Sequence, residues 1–309
     1  MVACGFFVID PRNLRNIHNK LPREEMAIVF RYQCIAVYVY AYVCVMYTGL
    51  CIHMSEYTET YAYFKPKRKH YGGNEMKLHI IRHGDPGYPN DNLTDLGRIE
   101  AEALALRMEK LPLERIYASS LGRAQATAKF TADKKGMSVE TLTWIREMSE
   151  LKAIPDSNEL PNPIVVWNLP GHQLRQIEKD EEYMKDIYPY PQMTSRFEEL
   201  RRGWIEFLRL YNIEMTDIGW TTDASLPEQD LAIFCHHGSG LVLLSLIMDI
   251  PVSALWRSIW LAPTSVSTVL FEQYAESRVN PRLICIGDTS HLYPVNLNNN
   301  TSGLLYNTR

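Results

Sequence analysis

A short apolar strand that ends in arginine, histidine and glycine limits the fold of this chain more than any other feature. Residues 77–85 read Lys-Leu-His-Ile-Ile-Arg-His-Gly-Asp. In an open α/β sheet, ligands bind at the C-terminal ends of the strands. Arg82 and His83 would stand there as a fixed cation beside an imidazole, and Gly84 frees the backbone to turn. The stretch therefore predicts a ligand site at the end of a buried strand.

Two further segments later in the chain also place an arginine or a histidine at or just beyond the end of an apolar strand. Residues 117–128, Tyr-Ala-Ser-Ser-Leu-Gly-Arg-Ala-Gln-Ala-Thr-Ala, place Arg123 just beyond a second strand. Residues 231–238, Leu-Ala-Ile-Phe-Cys-His-His-Gly, end a third strand in histidine and glycine. Together, the three segments resemble the histidine phosphatase superfamily, also called the phosphoglycerate mutase-like family. The resemblance covers most of residues 76–309 and none of residues 1–75.

The pattern from Met76 onward alternates between strand and helix, as in α/β proteins. It predicts a doubly wound, three-layer α/β/α domain over residues 76–309 with a mostly parallel mixed sheet. Residues 151–230 are predicted to be an insertion, irregular over 151–192. The expected strands are 77–82, 115–119, 138–144, 231–235, 265–271 and 283–286, and the expected helices are 93–108, 123–135, 195–211 and 240–248.

Residues 1–75 form an N-terminal extension with a different composition. Residues 32–52 contain no charged side chain, and this length suits a membrane-spanning helix. The alternative is a mis-assigned start, because Met76 is a natural initiator and Gly72-Gly73 can be encoded as the ribosome-binding sequence GGAGGA. We expect the second interpretation, with a bacterial gene and a cytoplasmic protein. The first would give a membrane-anchored protein with a cytoplasmic catalytic domain.

Composition and charge exclude several classes of partner and cofactor. The chain is 46% hydrophobic and 22% charged, which is ordinary for a globular protein. Its formal net charge of -4 gives no electrostatic reason to bind nucleic acid. Cys235 and Cys285 fall in apolar runs, and no metal-ligand spacing or disulfide framework is present. We therefore expect no metal, no cofactor and no membrane partner, and the sequence does not indicate an oligomeric state.

The resemblance assigns roles to the residues of the three segments. His83 stands where the family has the nucleophile that becomes phosphohistidine. Arg82 and Arg123 would hold the phosphoryl group, since a guanidinium can grip two of its oxygens. His237 directly precedes a glycine, as the family's second phosphate-binding histidine does, so His236 is expected to be a neighbour. Neighbouring residues of a regular strand point to opposite faces, so both should not enter one pocket.

Two carboxylates are candidates for the proton donor to the leaving group. Residues 145–147, Ile-Arg-Glu, match the family's Leu-Arg-Glu type of sequence, which makes Glu147 the first choice. Glu150 is the alternative acid. Asn90 is a candidate for the rim of the phosphate site.

Two other histidines and five side chains of the insertion complete the candidates. His79 is expected to pack within its strand, and His291 to make a structural hydrogen bond. The insertion residues that could contact substrate are Trp167, His172, Arg175, Tyr188 and Tyr190.

These assignments predict a metal-independent phosphatase that hydrolyses a small phosphomonoester, with a small phosphorylated metabolite as its partner. One alternative is a phosphoglycerate mutase, which returns the phosphoryl group to substrate. The mutases carry a Glu-Arg-His-Tyr-Gly type of segment, where this chain has Arg-Glu-Met-Ser-Glu at 146–150. The other alternative is an inactive phosphate-binding protein on the same fold.

Overall fold

The strand that carries the Arg-His-Gly sequence lies inside an eight-stranded sheet in the computed structural model of the protein. The structure describes residues 75–178, 192–217, 219–298, 300–301 and 304. The eight strands, in chain order, are β1 (Glu75–Arg82), β2 (Leu113–Ser119), β3 (Val139–Leu142), β4 (Glu214–Thr216), β5 (Gly219–Thr221), β6 (Asp230–Cys235), β7 (Val266–Ala275) and β8 (Arg278–Asp288). Their order across the sheet is β3-β2-β6-β1-β7-β8-β5-β4.

The strands that carry the three sequence segments are neighbours and run in the same direction. β1 pairs in parallel with β6, β6 with β2, and β2 with β3. Their C-terminal ends therefore meet at one edge of the sheet, where Arg82 lies opposite Cys235. The pairs from β1 to β7 and onward to β8, β5 and β4 are antiparallel.

Alternation along β1 builds a core on each face of the sheet. Leu78 and Ile80 contribute to the core on one face, whereas Ile81 contributes to the core on the other. The helices are α1 (Asp95–Met108), α2 (Gly122–Lys135), α3 (Gly171–Ile177), α4 (Gln192–Arg209), α5 (His237–Met248) and α6 (Val252–Ser258). α1 and α2 supply residues to the core around Ile81, and α4, α5 and α6 supply residues to the opposite core. The predicted three-layer α/β/α fold with a mixed sheet is confirmed.

Helix boundaries follow local chemistry. Thr94 is the N-cap of α1, with its side-chain oxygen accepting from the backbone N–H of Gly97 at 3.0 Å. α2 ends at Gly136, whose φ of 64° is the left-handed conformation expected after a helix. The sequence analysis expected the first helix to start at residue 93, two residues before the observed start, and the second to end at residue 135, as it does.

Several expected boundaries were wrong. α5 begins at His237 rather than at residue 240, because β6 ends at Cys235 and the chain turns directly into the helix. The strand expected at 138–144 is shorter, since Thr143–Ile145 form a 3-10 turn. The segment expected to be irregular includes α3. The hairpin β4–β5 and helix α6 were not predicted.

Residues 1–74 of the N-terminal extension lie outside the described residues, including the uncharged run at 32–52, and its last residue, Glu75, begins β1. Within the part of the chain that the structure describes, no helix is both long enough and apolar enough to cross a membrane.

Candidate active site

His83 lies just past β1, and both of its ring nitrogens make contacts. Its backbone N–H donates to the Cys235 carbonyl at 3.0 Å, so β6 fixes the residue although the strand has ended. Nδ1 lies 2.7 Å from the carbonyl oxygen of Gly84. A carbonyl can only accept, so the proton belongs on Nδ1 and Nε2 carries the lone pair. Nε2 accepts from Nε of Arg123 at 3.2 Å, which agrees with this tautomer.

The surroundings keep the His83 ring neutral. Burial is the main reason that the pKa of His83 lies well below its ordinary value, and the charges of Arg82 and Arg123 lower it further. Only the neutral imidazole has an electron pair to donate. The His83 ring is therefore neutral, with the lone pair on Nε2 directed toward the Arg123 guanidinium.

Arg123 is held by a carboxylate that the sequence did not single out. Its Nη1 donates to Oδ1 of Asp91 at 2.5 Å, and the other oxygen of Asp91 accepts from the backbone N–H of Gly122 at 2.6 Å. Asp91 thus joins the loop after β1 to the start of α2, where Arg123 lies. Its backbone is left-handed, with φ of 45°. The run of turn-forming residues at 90–92, Asn-Asp-Asn, was the available signal.

A threonine of α2 fixes the turn at Gly84. The backbone N–H of Gly84 donates to Oγ1 of Thr127 at 3.0 Å, and this hydroxyl donates to the Arg123 carbonyl at 2.7 Å. A Cβ at Gly84 would lie 2.7 Å from the carbonyl oxygen of Gly97, so only glycine allows α1 to approach so closely. The arrangement couples the position of His83 to that of Arg123.

The side chain of Arg82 lies against the indole ring of Trp260. Its Nη1 donates to the Leu261 carbonyl, and its Cζ lies 4.6 Å from the ring centroid of Trp260. The side chain is 4% exposed, and its Nε has no hydrogen-bond partner among the described residues. Burial lowers the pKa of Arg82, opposed by the negative charges of Glu147, Glu100 and Asp85 together with Tyr88. An anionic ligand would satisfy this buried donor.

His236 and His237 both enter the cluster, contrary to the expectation from strand geometry. That expectation assumed a continuous strand, whereas His236 precedes α5 and His237 is the first residue of that helix. The His236 ring lies 5.1 Å from that of His83, and its Nε2 is 2.7 Å from Oγ of Ser119. Burial places the pKa of both histidines well below the ordinary value.

His237 lies between two indole rings, in a position suited to a ligand-binding imidazole. Its ring centroid is 4.4 Å from that of Trp260 and 6.2 Å from that of Trp167. The charge of Arg82 lowers its pKa after the effect of burial. Its Nδ1 is buried with no hydrogen-bond partner among the described residues.

Glu147 is bound to the N-terminus of α5, next to these groups. Its Oε1 accepts from the backbone N–H groups of Met148 at 2.9 Å and Ser239 at 3.0 Å, and its Oε2 accepts from Gly238 at 3.1 Å. A Cβ at Gly238 would lie 2.7 Å from Oε1 of Glu147 and 2.5 Å from the Trp167 ring. Glycine at 238 is therefore required for the carboxylate and the indole to sit where they do.

The other acid candidate, Glu150, belongs to a separate group of charges. Its Oε1 lies 2.7 Å from Nη1 of Arg146 and 3.6 Å from Nε of Arg196. Asn90 ends the 3-10 turn Tyr88–Asn90 and is exposed, while its neighbour Asp91 contacts Arg123. The structure thus brings Glu147, rather than Glu150, into contact with the helix that carries His237.

Two histidines outside the cluster make the structural contacts expected of them. His79 packs within β1, where its Nδ1 lies 3.0 Å from Oγ1 of Thr268. Nε2 of His291 lies 3.1 Å from Oγ1 of Thr264, whose backbone N–H donates to the His83 carbonyl.

The insertion residues behave differently from one another. Trp167 contacts His237, as described above. His172 is exposed and pairs with Asp156 at 2.5 Å, and Arg175 is also exposed. Tyr188 and Tyr190 lie outside the described residues.

Comparison with known proteins agrees with this arrangement. The profile of the histidine phosphatase superfamily (branch 1) matches residues 78–152, which include Arg82, His83, Arg123 and Glu147. A protein of Yersinia pestis (strain Pestoides F) described as a probable phosphoglycerate mutase, GpmB, is 26% identical over 233 residues. This match covers 70% of the present chain and 95% of the relative.

The solved structures to which the chain is similar include two phosphatases. A mutant phosphoserine phosphatase of Entamoeba histolytica in complex with phosphoserine has a TM-score of 0.48 at 17% identity, covering 70% of this chain and 99% of that one. A mycobacterial glucosyl-3-phosphoglycerate phosphatase in complex with VO3 has a TM-score of 0.43 at 20% identity, covering 68% and 97%. The profile match over the first two sequence segments, together with this relative, supports the resemblance to the histidine phosphatase superfamily.

Proposed function

We propose that the protein hydrolyses phosphomonoesters in two steps, through a phosphoryl group held on Nε2 of His83. The observation that carries the proposal is the pair of contacts at the His83 ring. Its proton is held on Nδ1 by the Gly84 carbonyl, and its lone pair on Nε2 points to Arg123. A phosphoryl group bound by Arg123 would lie in the direction of that lone pair.

In the first step, Nε2 forms a bond to phosphorus while the bond from phosphorus to the ester oxygen breaks. The guanidinium groups of Arg82 and Arg123 neutralise the charge on the nonbridging oxygens, which is the main requirement of phosphoryl transfer. The buried Nε of Arg82 and Nδ1 of His237 are donors or acceptors without protein partners among the described residues. They support a role in binding the same group.

The leaving oxygen needs a proton, and Glu147 is the proposed source. With both oxygens on backbone N–H groups of α5, the carboxyl group has one fixed orientation beside His237. A phosphoryl dianion bound next to it would favour the protonated carboxylic acid, because like charges repel. Glu147 would then protonate the departing alkoxide.

In the second step, water attacks the phosphohistidine. Glu147, now a carboxylate, accepts the proton of that water, and the bond between phosphorus and Nε2 breaks. Inorganic phosphate leaves, and both His83 and Glu147 return to their starting protonation states. No metal takes part in this scheme.

The second candidate is a phosphoglycerate mutase, which is favoured by the description of the Yersinia relative. It shares the first step and differs only in what accepts the phosphoryl group. Hydrolysis is preferred because residues 146–150 lack the mutase type of segment.

The reaction product distinguishes the phosphatase from the phosphoglycerate mutase. Purified protein should release inorganic phosphate from p-nitrophenyl phosphate in the presence of EDTA. Exchange of phosphate between positions of 3-phosphoglycerate, with no release of inorganic phosphate, would instead establish the mutase. Binding of inorganic phosphate with neither reaction would leave the third candidate, an inactive phosphate-binding protein.

A further inference from the structure

We infer from the aromatic rings and carboxylates around the phosphoryl site that the preferred substrates are phosphomonoesters whose leaving group is uncharged and carries a flat apolar ring. This inference rests on the proposed function and concerns the part of the substrate beyond the phosphoryl group. It is carried by two independent observations. One is the placement of three aromatic side chains, Tyr88, Trp167 and Trp260, and the other is the balance of charge.

Each group proposed to bind the phosphoryl oxygens has an aromatic neighbour. Trp260 lies over Arg82 at 4.6 Å and beside His237 at 4.4 Å. Tyr88 lies over Arg123 at 5.8 Å. Such stacking occupies the flat face of a guanidinium and leaves its N–H edge for oxygen ligands. Two rings, Trp260 and Tyr88, therefore lie against the groups proposed to bind the phosphoryl oxygens.

Two of these rings are not explained by core packing. Tyr88 is 66% exposed, so most of its ring is open to solvent beside Arg123. Trp260 is half-buried, and it contacts Arg82, His237 and the Asn300 carbonyl. By contrast, Trp204 and Trp256 belong to the core. Tyr88 and Trp260 therefore offer apolar surface where a leaving group would lie.

The charges of the site argue against a second anionic group on the substrate. The positive charges that act most strongly on His83 are those of Arg82 and Arg123. A phosphoryl dianion would neutralise both. Four carboxylates surround these two arginines: Asp91 on Arg123, and Asp85, Glu100 and Glu147 near Arg82. An additional carboxylate on the substrate would face repulsion from these groups.

A third arginine of the described part of the chain, Arg196, lies close enough to influence His236. Its guanidinium already has protein partners, because its Nη2 donates to the carbonyls of Trp144 at 3.0 Å and Arg146 at 2.6 Å. Its Nη1 lies 3.0 Å from a carboxylate oxygen of Glu199. Arg196 is therefore anchored by two carbonyls and paired with Glu199, although its Nε and Nη1 make no hydrogen bond among the described residues.

The test compares three esters whose leaving alcohols are similarly basic: 2-phenylethyl phosphate, propyl phosphate and 3-phosphoglycerate. We expect kcat/KM for 2-phenylethyl phosphate to exceed that for each of the others by at least about tenfold, the lower end of what a small apolar contact contributes to discrimination. Equal or higher kcat/KM for 3-phosphoglycerate would overturn the inference while leaving hydrolysis established.

Variants of Trp260 show whether its ring causes the preference for the phenylethyl ester over the propyl ester. Trp260→Leu should bring the ratio of kcat/KM for the phenylethyl and propyl esters toward one, and Trp260→Phe should retain most of it. A structural role of Trp260 would lower both values together and leave the ratio unchanged, which would contradict the inference. Tyr274→Leu is the matched control, since Tyr274 is 64% exposed at the far end of β7 from Val266. Its ratio should equal that of the unaltered protein.

Binding of phosphonates separates failure of this inference from failure of the proposed function. If no ester is hydrolysed, calorimetry with benzylphosphonate and 2-carboxyethylphosphonate still measures the preference. Tighter binding of benzylphosphonate would support the inference without the hydrolysis. Tighter binding of 2-carboxyethylphosphonate would overturn it.

Discussion

Asp91 holds Arg123 in place through a 2.5 Å contact between Oδ1 and Nη1. The other carboxylate oxygen accepts from the backbone N–H of Gly122, so the same side chain fixes the start of α2. Arg123 in turn contacts Nε2 of His83. The orientation of the proposed nucleophile thus depends on a carboxylate that does not touch it.

Asp91→Asn should weaken phosphate binding by removing the charge while keeping a side chain that tolerates the left-handed backbone. We expect kcat/KM for p-nitrophenyl phosphate to fall by about tenfold, mainly through a higher KM. This corresponds to a charge-assisted hydrogen bond discounted for partial exposure. Asp133→Asn is the control in α2, the helix that carries Arg123, because the Asp133 carboxylate is exposed and pairs with Lys129. Equal kinetics for the two variants would exclude a positioning role for Asp91.

Glu147→Gln should slow esters of basic alcohols far more than activated esters such as p-nitrophenyl phosphate. Protonation assists departure only when the leaving oxygen is strongly basic, and general acid catalysis contributes about 10²–10⁴-fold. Measurement of kcat/KM across a series of leaving groups gives the dependence directly. The matched variant is Glu150→Gln, which removes the negative charge that pairs with Arg146. A selective loss in that variant, with none in Glu147→Gln, would move the acid to Glu150.

His291 should make the protein less stable as the pH falls. Burial lowers its pKa in the folded state to about 4, from an ordinary value of 6.5. The unfolded chain therefore binds one more proton between these values, so the contribution to stability is complete above pH 6.5 and is lost as the pH falls toward 4. In His291→Gln, the slope of unfolding free energy against pH should decrease by about 1.4 kcal/mol per pH unit over that window. Identical slopes from urea unfolding of both proteins would contradict this assignment.

We propose that residues 1–75 are dispensable for the α/β domain. Met76 is fully buried in β1, where it pairs with Phe271 of β7, so a chain that begins there keeps the strand that leads to His83. Such a chain should match the full chain in Tm and in kcat/KM for p-nitrophenyl phosphate. A marked loss of either would show that the extension supports the domain. Peptides from residues 1–31 in the native protein would show that the extension is made.

The sequence predicted those parts of the site that lie at strand ends. Arg82, His83 and His237 follow apolar runs directly, and the sheet then brings the ends of β1 and β6 together. Glu147 was found by its similarity to a family sequence rather than by position. Its contact with α5 depends on Gly238, whose missing Cβ leaves the space.

The residues that sequence reasoning missed contact partners that are far away in the sequence. Asp91 is a loop residue whose role depends on α2, and Trp260 follows a helix that was not predicted. His236 was treated as part of a strand, but the strand ends one residue earlier, and its ring reaches His83. Each of these relationships is set by where the chain turns, which the local pattern of apolar residues does not determine.

Isolation of the phosphorylated protein tests the central claim most directly. Protein quenched during turnover of labelled substrate should carry an acid-labile, alkali-stable phosphoryl group on His83, and His83→Ala should carry none and have no measurable hydrolysis. The fold of His83→Ala, followed by circular dichroism and Tm, should be retained because the residue lies past the end of β1. A phosphoryl group on Ser120, or undiminished turnover in His83→Ala, would contradict the account.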